Sequence, residues 1–475
     1  MPAAPLLSRH ADMTLTDQLA ARFGERIRQR LLAPGSRLPS VRECARRHAI
    51  SPSTVVAAYE QLLAQGLVEA RRQRGFFVRD GARPPEAVAA PTPERRDGRP
   101  AAPLSATALM RGMFQPPGAG PMPGLGTLPQ EWLDLPMLAS ALRRVSRGAL
   151  LAPLALQYGE PAGDTRLRAA LATRLAEHGV AAKPDQIVTT IGATQALDVV
   201  TRTLLHAGDA VLVDEPGWPV EYARLAALGL KTLPVPRGED GPDLDVMARL
   251  LVAHRPKLYI TVSVLHNPTG ASLSLGSAHR LLTLAQAHDL TIVEDDSYSH
   301  LAPAHLPRLS ALDGLERTIY LSGFSKILAP NWRVGYIAAP AALVDRLIDT
   351  KLLGTLTTPG LPEQAIAHCL EAGLLRRHAE RVITRLDAAR ARAVGLAEST
   401  GCRLAAPPRG LFGWVDTGVD TERLAQAMLD DGWLLAPGAL FHASHRPTTL
   451  MRINFATTQD ARFWRALDRA RDALR

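Results

Sequence analysis

Three short apolar runs of strand length each give out directly into a compact polar cluster. His266-Asn267-Pro268-Thr269-Gly270 follows Lys257–Val264, Asp295-Asp296-Ser297-Tyr298 follows Leu290–Glu294, and Ser322-Gly323-Phe324-Ser325-Lys326 follows Arg317–Leu321. Two further runs, Ala210–Val213 and Val334–Ala338, have the same character, and helical patterns such as Ala278–His288 lie between them. Strands alternating with amphipathic helices predict an α/β domain with a largely parallel sheet. In an open sheet of that kind, ligands bind beyond the carboxyl ends of the strands, and that is where the polar clusters fall. The last hundred or so residues read as a smaller α+β subdomain: helix Leu375–Ser399, strand Phe412–Val415 and helix Thr421–Asp430.

The N-terminal stretch has a different pattern. In Thr14–Leu32, residues Leu19, Phe23, Ile27 and Leu31 recur at i, i+4 spacing, and Pro34-Gly35 ends that helix. Ser40-Val41-Arg42-Glu43 reads as a capping box for a second helix to about His48. Ser51-Pro52 supplies an N-cap and first-turn proline for a third, which Gly66 stops. Leu67–Ala70 and Gly75–Val78 form a hairpin around Arg71-Arg72-Gln73-Arg74. Three helices and a hairpin outline a winged helix-turn-helix. Of the chain's net charge of +9, residues 1–80 hold +6, from 13 Arg against 7 acids. A basic module of this size points to a polyanion such as DNA. Residues 80–103 are rich in Pro, Ala, Arg and Gly without hydrophobic periodicity, and read as a semi-extended linker.

Composition narrows the chemistry further. The chain has only five lysines, Lys183, Lys231, Lys257, Lys326 and Lys351, so any reaction needing a primary amine has few candidates. The three cysteines are scattered, and neither they nor the histidines show metal-ligand spacing, so no metal site is expected. No apolar run reaches the ~18 residues a membrane span needs, and Met1–Ala20 carries Asp12 and Asp17 in place of a basic-then-apolar leader. A soluble cytoplasmic protein with no membrane contact is expected.

Lys326 is a candidate nucleophile. A lysine desolvated at a strand end has a lowered pKa and attacks carbonyls as the free amine. Asp295 emerges from a buried strand, where a carboxylate needs a cationic partner such as a protonated pyridine nitrogen. Gly192-Ala193-Thr194 precedes a helix read as Gln195–Leu205 and offers amides for a phosphate, while Arg333 stands ready to clamp an anion. Amine, acid, phosphate seat and arginine together are what pyridoxal 5′-phosphate needs.

These residues carry a resemblance. HNPTG, EDDSY and SGFSKILAPNWRVGY make residues 104–475 similar to the fold-type I aminotransferases, with a small subdomain at about 350–475. PGSRLPSVRE, SPSTVVAAYEQLLAQGLV and RGFFV make residues 10–79 similar to the GntR-type winged helix domain. The fusion resembles the MocR-type transcriptional regulators. The resemblance implies Lys326 as the lysine that links covalently to the cofactor and Asp295 as partner of its ring nitrogen. It implies Tyr298 and Asn267 on the 3-hydroxyl oxygen and Trp218 stacked on the ring. Ala193, Thr194, Ser325 and Arg333 would hold the phosphate, with Tyr158 reaching in from a second subunit of a homodimer, and Arg452 would bind a substrate carboxylate. For double-stranded operator DNA it implies Arg42, Ser51, Ser53, Thr54, Arg71, Arg72, Arg74 and Gly75. Two departures stand out: Gly323 replaces a phosphate-binding Ser or Thr, and Pro52 replaces an arginine of the recognition helix. The implied function is a DNA-binding regulator sensing an amino acid, an amine or the cofactor itself. The same catalytic set also equips an aminotransferase with an accessory head, and at the level of sequence both readings stand.

Overall fold

The computed structural model describes residues 7, 13–28, 32, 34–71, 74–79, 122–147 and 151–475. The segment read as a linker, the following residues 104–121, and Leu31 and Arg72 lie outside the described residues.

The head contains helices α1 (Leu15–Arg28), α2 (Val41–His48) and α3 (Pro52–Ala64), followed by strands β1 (Val68–Arg71) and β2 (Gly75–Val78). Ser40 Oγ accepts from Glu43 N and Ser51 Oγ accepts from Thr54 N, so both serines are the N-caps that their positions predict. After α3, Gly66 takes a φ of +68°, the left-handed conformation that glycine adopts without a Cβ penalty. Leu19, Phe23, Cys44, Val55, Tyr59 and Leu62 close a single small core, with Phe23 edge-on to Tyr59. β1 and β2 pair antiparallel, Arg71 opposite Gly75, making the wing.

The body is built on a sheet of eight strands among the described residues. In chain order they are β3 (Ile187–Thr190), β4 (Ala210–Glu215), β5 (Lys231–Gly238), β6 (Gly241–Pro242), β7 (Leu258–Thr261), β8 (Thr291–Asp295), β9 (Thr318–Gly323) and β10 (Gly335–Ala338). Their spatial order is β3-β10-β9-β8-β7-β4-β5-β6. The pairs β4–β5, β4–β7, β7–β8 and β8–β9 are parallel, and β10 runs against both of its neighbours. Side chains alternate between two apolar layers. Val211, Val213, Leu258, Ile260 and Val293 enter one, while Leu212, Tyr259 and Ile292 enter the other. Both faces are therefore covered, which is why the strands read as continuous apolar runs rather than as alternating ones. Helix α4 (Gly192–Leu204) follows β3 directly, beginning earlier than the sequence pattern placed it.

The C-terminal subdomain joins the 26-residue helix α5 (Leu374–Ser399) and helix α6 (Thr421–Asp430) to a four-stranded sheet. Its strands are β11 (Arg403–Leu404), β12 (Phe412–Asp416), β13 (Ala436–Pro437) and β14 (Leu450–Asn454). β14 lies centrally, pairing with β12 and β13. No described helix is long and apolar enough to cross a membrane, and no group of three His, Cys, Asp or Glu among the described residues is arranged to hold a metal.

Candidate active site and candidate nucleic-acid interface

The site forms where β8, β9 and the loop after β7 end, roofed by β12 and β14 of the small subdomain. Asp295 is the last residue of β8, and Lys326 lies three residues past the end of β9. Burial pushes the Lys326 amine down to about 8; the neighbouring cations Arg452 and Arg333 push the same way and Asp295 opposes them. Lys326 Nζ donates to the carbonyl of Gly126 at 2.8 Å. Burial pushes the Asp295 carboxyl up to about 6, against the hydrogen bonds it accepts from Ser297 N (3.0 Å) and Ser297 Oγ (2.5 Å).

Arg452 projects from β14 into this cleft. It is 5% exposed and burial lowers it to about 10. Its guanidinium lies over the rings of Phe412 and Phe441, 4.5 and 5.2 Å from their centroids. Nη1 donates to Asn267 Oδ1 (3.0 Å) and Nη2 to the Gly124 carbonyl (2.5 Å), while Nε has no partner among the described residues. Asn267 lies near the Tyr298 phenol, whose ring stands edge-on to Phe412. Burial raises the Tyr298 phenol, so it stays protonated at neutral pH.

On the other side, α4 opens with Gly192, Ala193 and Thr194. The first N–H groups of a helix have no intrahelical acceptor and carry partial positive charge. Arg333 borders this helix start: Nη2 donates to Ile191 O (3.2 Å) and Nη1 to Ser325 Oγ (3.0 Å). Gly192 has a φ of +76°, and a Cβ there would fall 2.4 Å from Arg333 Nη2. The positive φ favours glycine at this position, and a larger residue would have to displace the Arg333 guanidinium. Trp218 caps the helix Pro219–Ala227 beyond β4 and packs partly buried against the apolar layer beneath α4. Tyr158 is 81% exposed, so one protomer does not bury it with the others.

Two features of the cleft went unread in the sequence. The segment Gly124–Thr127 crosses it, held by Asn454 Nδ2 to Leu125 O (3.0 Å) and Thr127 O (2.7 Å). Its glycine-rich run was the available signal, since a Cβ on Gly124 would sit 2.5 Å from the Leu435 carbonyl carbon. Beneath the cleft, Asp214 accepts from Tyr259, from Thr261 Oγ1 (2.8 Å) and from Arg237 Nη1 (3.1 Å), with His266 Nε2 at 3.6 Å. This buried cluster braces the loop that presents Asn267.

In the head, Arg42 and Ser53 are exposed and Thr54 is half-buried. Ser51 Oγ lies 2.7 Å from both Ser53 Oγ and Thr54 Oγ1, so the three hydroxyls form one cluster at the start of α3. Arg71 pairs with Glu69 at 2.7 Å and lies over the Phe77 ring at 4.5 Å, which offsets part of its charge. Arg74 is exposed in the turn, and Gly75 has a φ of +95°.

Comparison with known proteins agrees with this geometry. Residues 126–469 match the family described as aminotransferase class I and II. The chain belongs to that family. Residues 15–78 match the bacterial regulatory proteins of the gntR family, so this family member carries a GntR helix-turn-helix head. It is 30% identical over 348 residues to a 2-aminoadipate transaminase of Thermus thermophilus, covering 71% of this chain and 85% of that one. It is 32% identical over 346 residues to the probable rhizopine catabolism regulatory protein MocR of Rhizobium meliloti, covering 72% and 68%. Over 462 residues it is 25% identical to the uncharacterized HTH-type transcriptional regulator YisV of Bacillus subtilis, 95% of each chain. Among solved structures, the α-aminoadipate aminotransferase LysN of Thermus thermophilus, complexed with N-(5′-phosphopyridoxyl)-L-leucine, superposes with a TM-score of 0.70 at 28% identity. That match covers 77% of this chain and 95% of LysN.

The cofactor of this aminotransferase fold is pyridoxal 5′-phosphate, and the donor set fits it. A carboxyl raised by burial stands at the end of β8, a lysine with a depressed pKa lies close enough to feel its charge, and a helix start beside Arg333 is shaped by Gly192.

Proposed function

We propose that the protein is a cytoplasmic, homodimeric, pyridoxal-phosphate-dependent regulator that binds operator DNA through its head and an amino acid or amine through its body. One combination supports the reading: residues suited to holding the cofactor and a basic helix-turn-helix occur in one chain. The regulator relative aligns over both parts, which supports the same reading.

In the body, Lys326 would hold the cofactor covalently, its amine being partly unprotonated near neutral pH. Asp295 would hold the proton on the ring nitrogen, and Tyr298 and Asn267 would donate to the 3-hydroxyl oxygen. Trp218 would pack on the ring. The first-turn amides of Ala193 and Thr194, together with Ser325 and Arg333, would neutralise the phosphate, and Tyr158 would reach the partner subunit's site. When bound, the cofactor supplies an electron sink for bonds at an amine's α-carbon. Arg452, whose guanidinium lies over the Phe412 and Phe441 rings, would receive a ligand carboxylate. In the head, the N-terminus of α3, with Ser51, Ser53 and Thr54, would enter the major groove. Arg42 would meet a phosphate, and Arg71, Arg72 and Arg74 with Gly75 would form the wing contact.

An aminotransferase that turns over is the second reading. The depressed Lys326 amine favours it, because turnover needs that group as a proton carrier.

The deciding experiment titrates amino acids and amines into the purified holoprotein while following absorbance, with operator binding measured in parallel. A ligand that shifts both signals without releasing a keto acid supports the regulator. Stoichiometric keto-acid release over many turnovers supports the enzyme. Arg452→Ala should abolish the response to carboxylate-bearing ligands while sparing cofactor and DNA binding.

A further inference from the structure

The head touches the body at the C-terminal end of α6. The last carbonyls of a helix have no intrahelical donor, and that end carries partial negative charge. Arg26, in the last turn of α1, places Nη2 2.6 Å from Leu429 O, and Arg47, in the last turn of α2, places Nη2 2.6 Å from Ala427 O. Arg26 is 7% exposed, so its bond is shielded from solvent. Bonds from a guanidinium are charge-assisted, the Arg26 one buried and the Arg47 one exposed to solvent. Here two of them, from two different head helices, converge on one helix end and so restrict the head's rotation as well as its position.

The opposite end of α6 is fastened to the strand of Arg452. Thr421 Oγ1 lies 2.9 Å from both Thr448 O and Leu450 O and accepts from Gly438 N at 3.2 Å. The chain leaving α6 forms β13, where Ala436 pairs in register with Arg452 itself. At ~1.5 Å per residue, α6 is a rigid rod of about 15 Å between the carboxylate anchor and the head. The head groups proposed to meet DNA (Arg42, Ser53, Thr54) take no part in these two bonds.

We propose that the end of α6 is the docking surface for the head, with Arg26 and Arg47 as docking residues, so that the small subdomain fixes where each head stands. This rests on the reading that the head binds operator DNA in a two-fold dimer. Any rotation of the small subdomain then carries the head as one body, and the spacing between two heads follows the subdomains rather than the linker. A coupling of this kind needs a physical element shared by both sites, and α6 is that element.

The test uses the full-length holoprotein with nitroxides on Glu60→Cys in α3 and Arg465→Cys in the C-terminal helix; the native cysteines are buried. Pulsed electron–electron distance measurement should give one narrow distribution, and Arg47→Ala should broaden it, with Arg47→Lys restoring most of the narrow component. A duplex selected from a random library by the unsubstituted chain serves as the DNA probe. Arg47→Ala should weaken binding to that duplex at least tenfold while affinity for one isolated half-site changes less than twofold. Because Arg26 is buried in the head, Arg47 is the primary variant, and an Arg26→Lys chain of normal cofactor absorbance supplies the second. A broad distribution in the unsubstituted chain, or one that Arg47→Ala leaves unchanged, overturns the docking. If no duplex is selected at all, the DNA reading fails, and the distance measurement still decides the docking.

Discussion

Replacing Asp295 with asparagine tests the cofactor assignment through a group whose cost and benefit have opposite signs. In the cofactor-free protein, burial raises the Asp295 carboxyl from 3.8 to about 6. A folded value above the unfolded one means that the protonated form is favoured by folding. That stability is fully present below about pH 4 and is lost as pH rises through about 6. A shift of about two units corresponds to about 3 kcal/mol, and the residue's partial exposure to solvent reduces this to about 1–2 kcal/mol. The amide of Asp295→Asn would be neutral throughout, so the cofactor-free variant should match the parent near pH 3 and exceed it by about 1–2 kcal/mol at pH 7.5. Comparing the two proteins at each pH removes most of the titration of the neighbouring Asp296, which burial also raises to about 6 and whose charge adds to the rise at Asp295. Once a pyridinium is bound the sign reverses, and the variant should bind the cofactor about 10- to 100-fold more weakly. Urea unfolding of the cofactor-free proteins at the two pH values, followed by cofactor titration, measures both. A variant whose relative stability ignores pH, or whose cofactor affinity is unchanged, would refute the placement of Asp295 against the ring nitrogen.

Lys326→Ala should abolish the visible absorbance of the holoprotein, and borohydride should then fix no cofactor to the chain; a reducible adduct at one of the other four lysines would reassign the site. Gly192→Ala places a Cβ 2.4 Å from Arg333 Nη2 at a positive φ, so it should cost about 1–3 kcal/mol and weaken cofactor binding, read by thermal unfolding with and without cofactor. Operator affinity should fall with a log–log salt slope of about −0.9 per phosphate neutralised, and Arg42→Ala should reduce that slope by about one unit in fluorescence anisotropy.

The positions of the two central candidate residues are legible because both sit at strand ends. Asp295 closes β8 and Lys326 follows β9 closely, so apolar runs and polar stops located both. β5 went unread because Pro234 and Pro236 interrupt its pattern, and β3 is a run of only four residues ending in two threonines. The helical pattern begins late at α4 because Gly192 reads as a breaker, whereas with a φ of +76° it opens the helix beside Arg333, which bonds the Ile191 carbonyl. The least legible features were those made by backbone atoms. The carbonyls of Gly124 and Gly126 leave no side-chain signature, and the contacts of Arg26 and Arg47 reach 403 and 380 residues along the chain to carbonyls on α6.

The strap across the cleft sets where this protein can be divided. Arg452 grips the Gly124 carbonyl, Lys326 grips that of Gly126, and Asn454 grips Leu125 and Thr127, yet these strap residues directly continue the stretch that joins head to body. The recognisable family similarity begins at residue 126, in the middle of the strap. A body fragment cut at that similarity boundary would lose the wall that holds the guanidinium in place and open the cleft to water from one side. Dissection of the two halves therefore has to begin upstream of Met122, because the cleft extends further toward the N-terminus than the family similarity does.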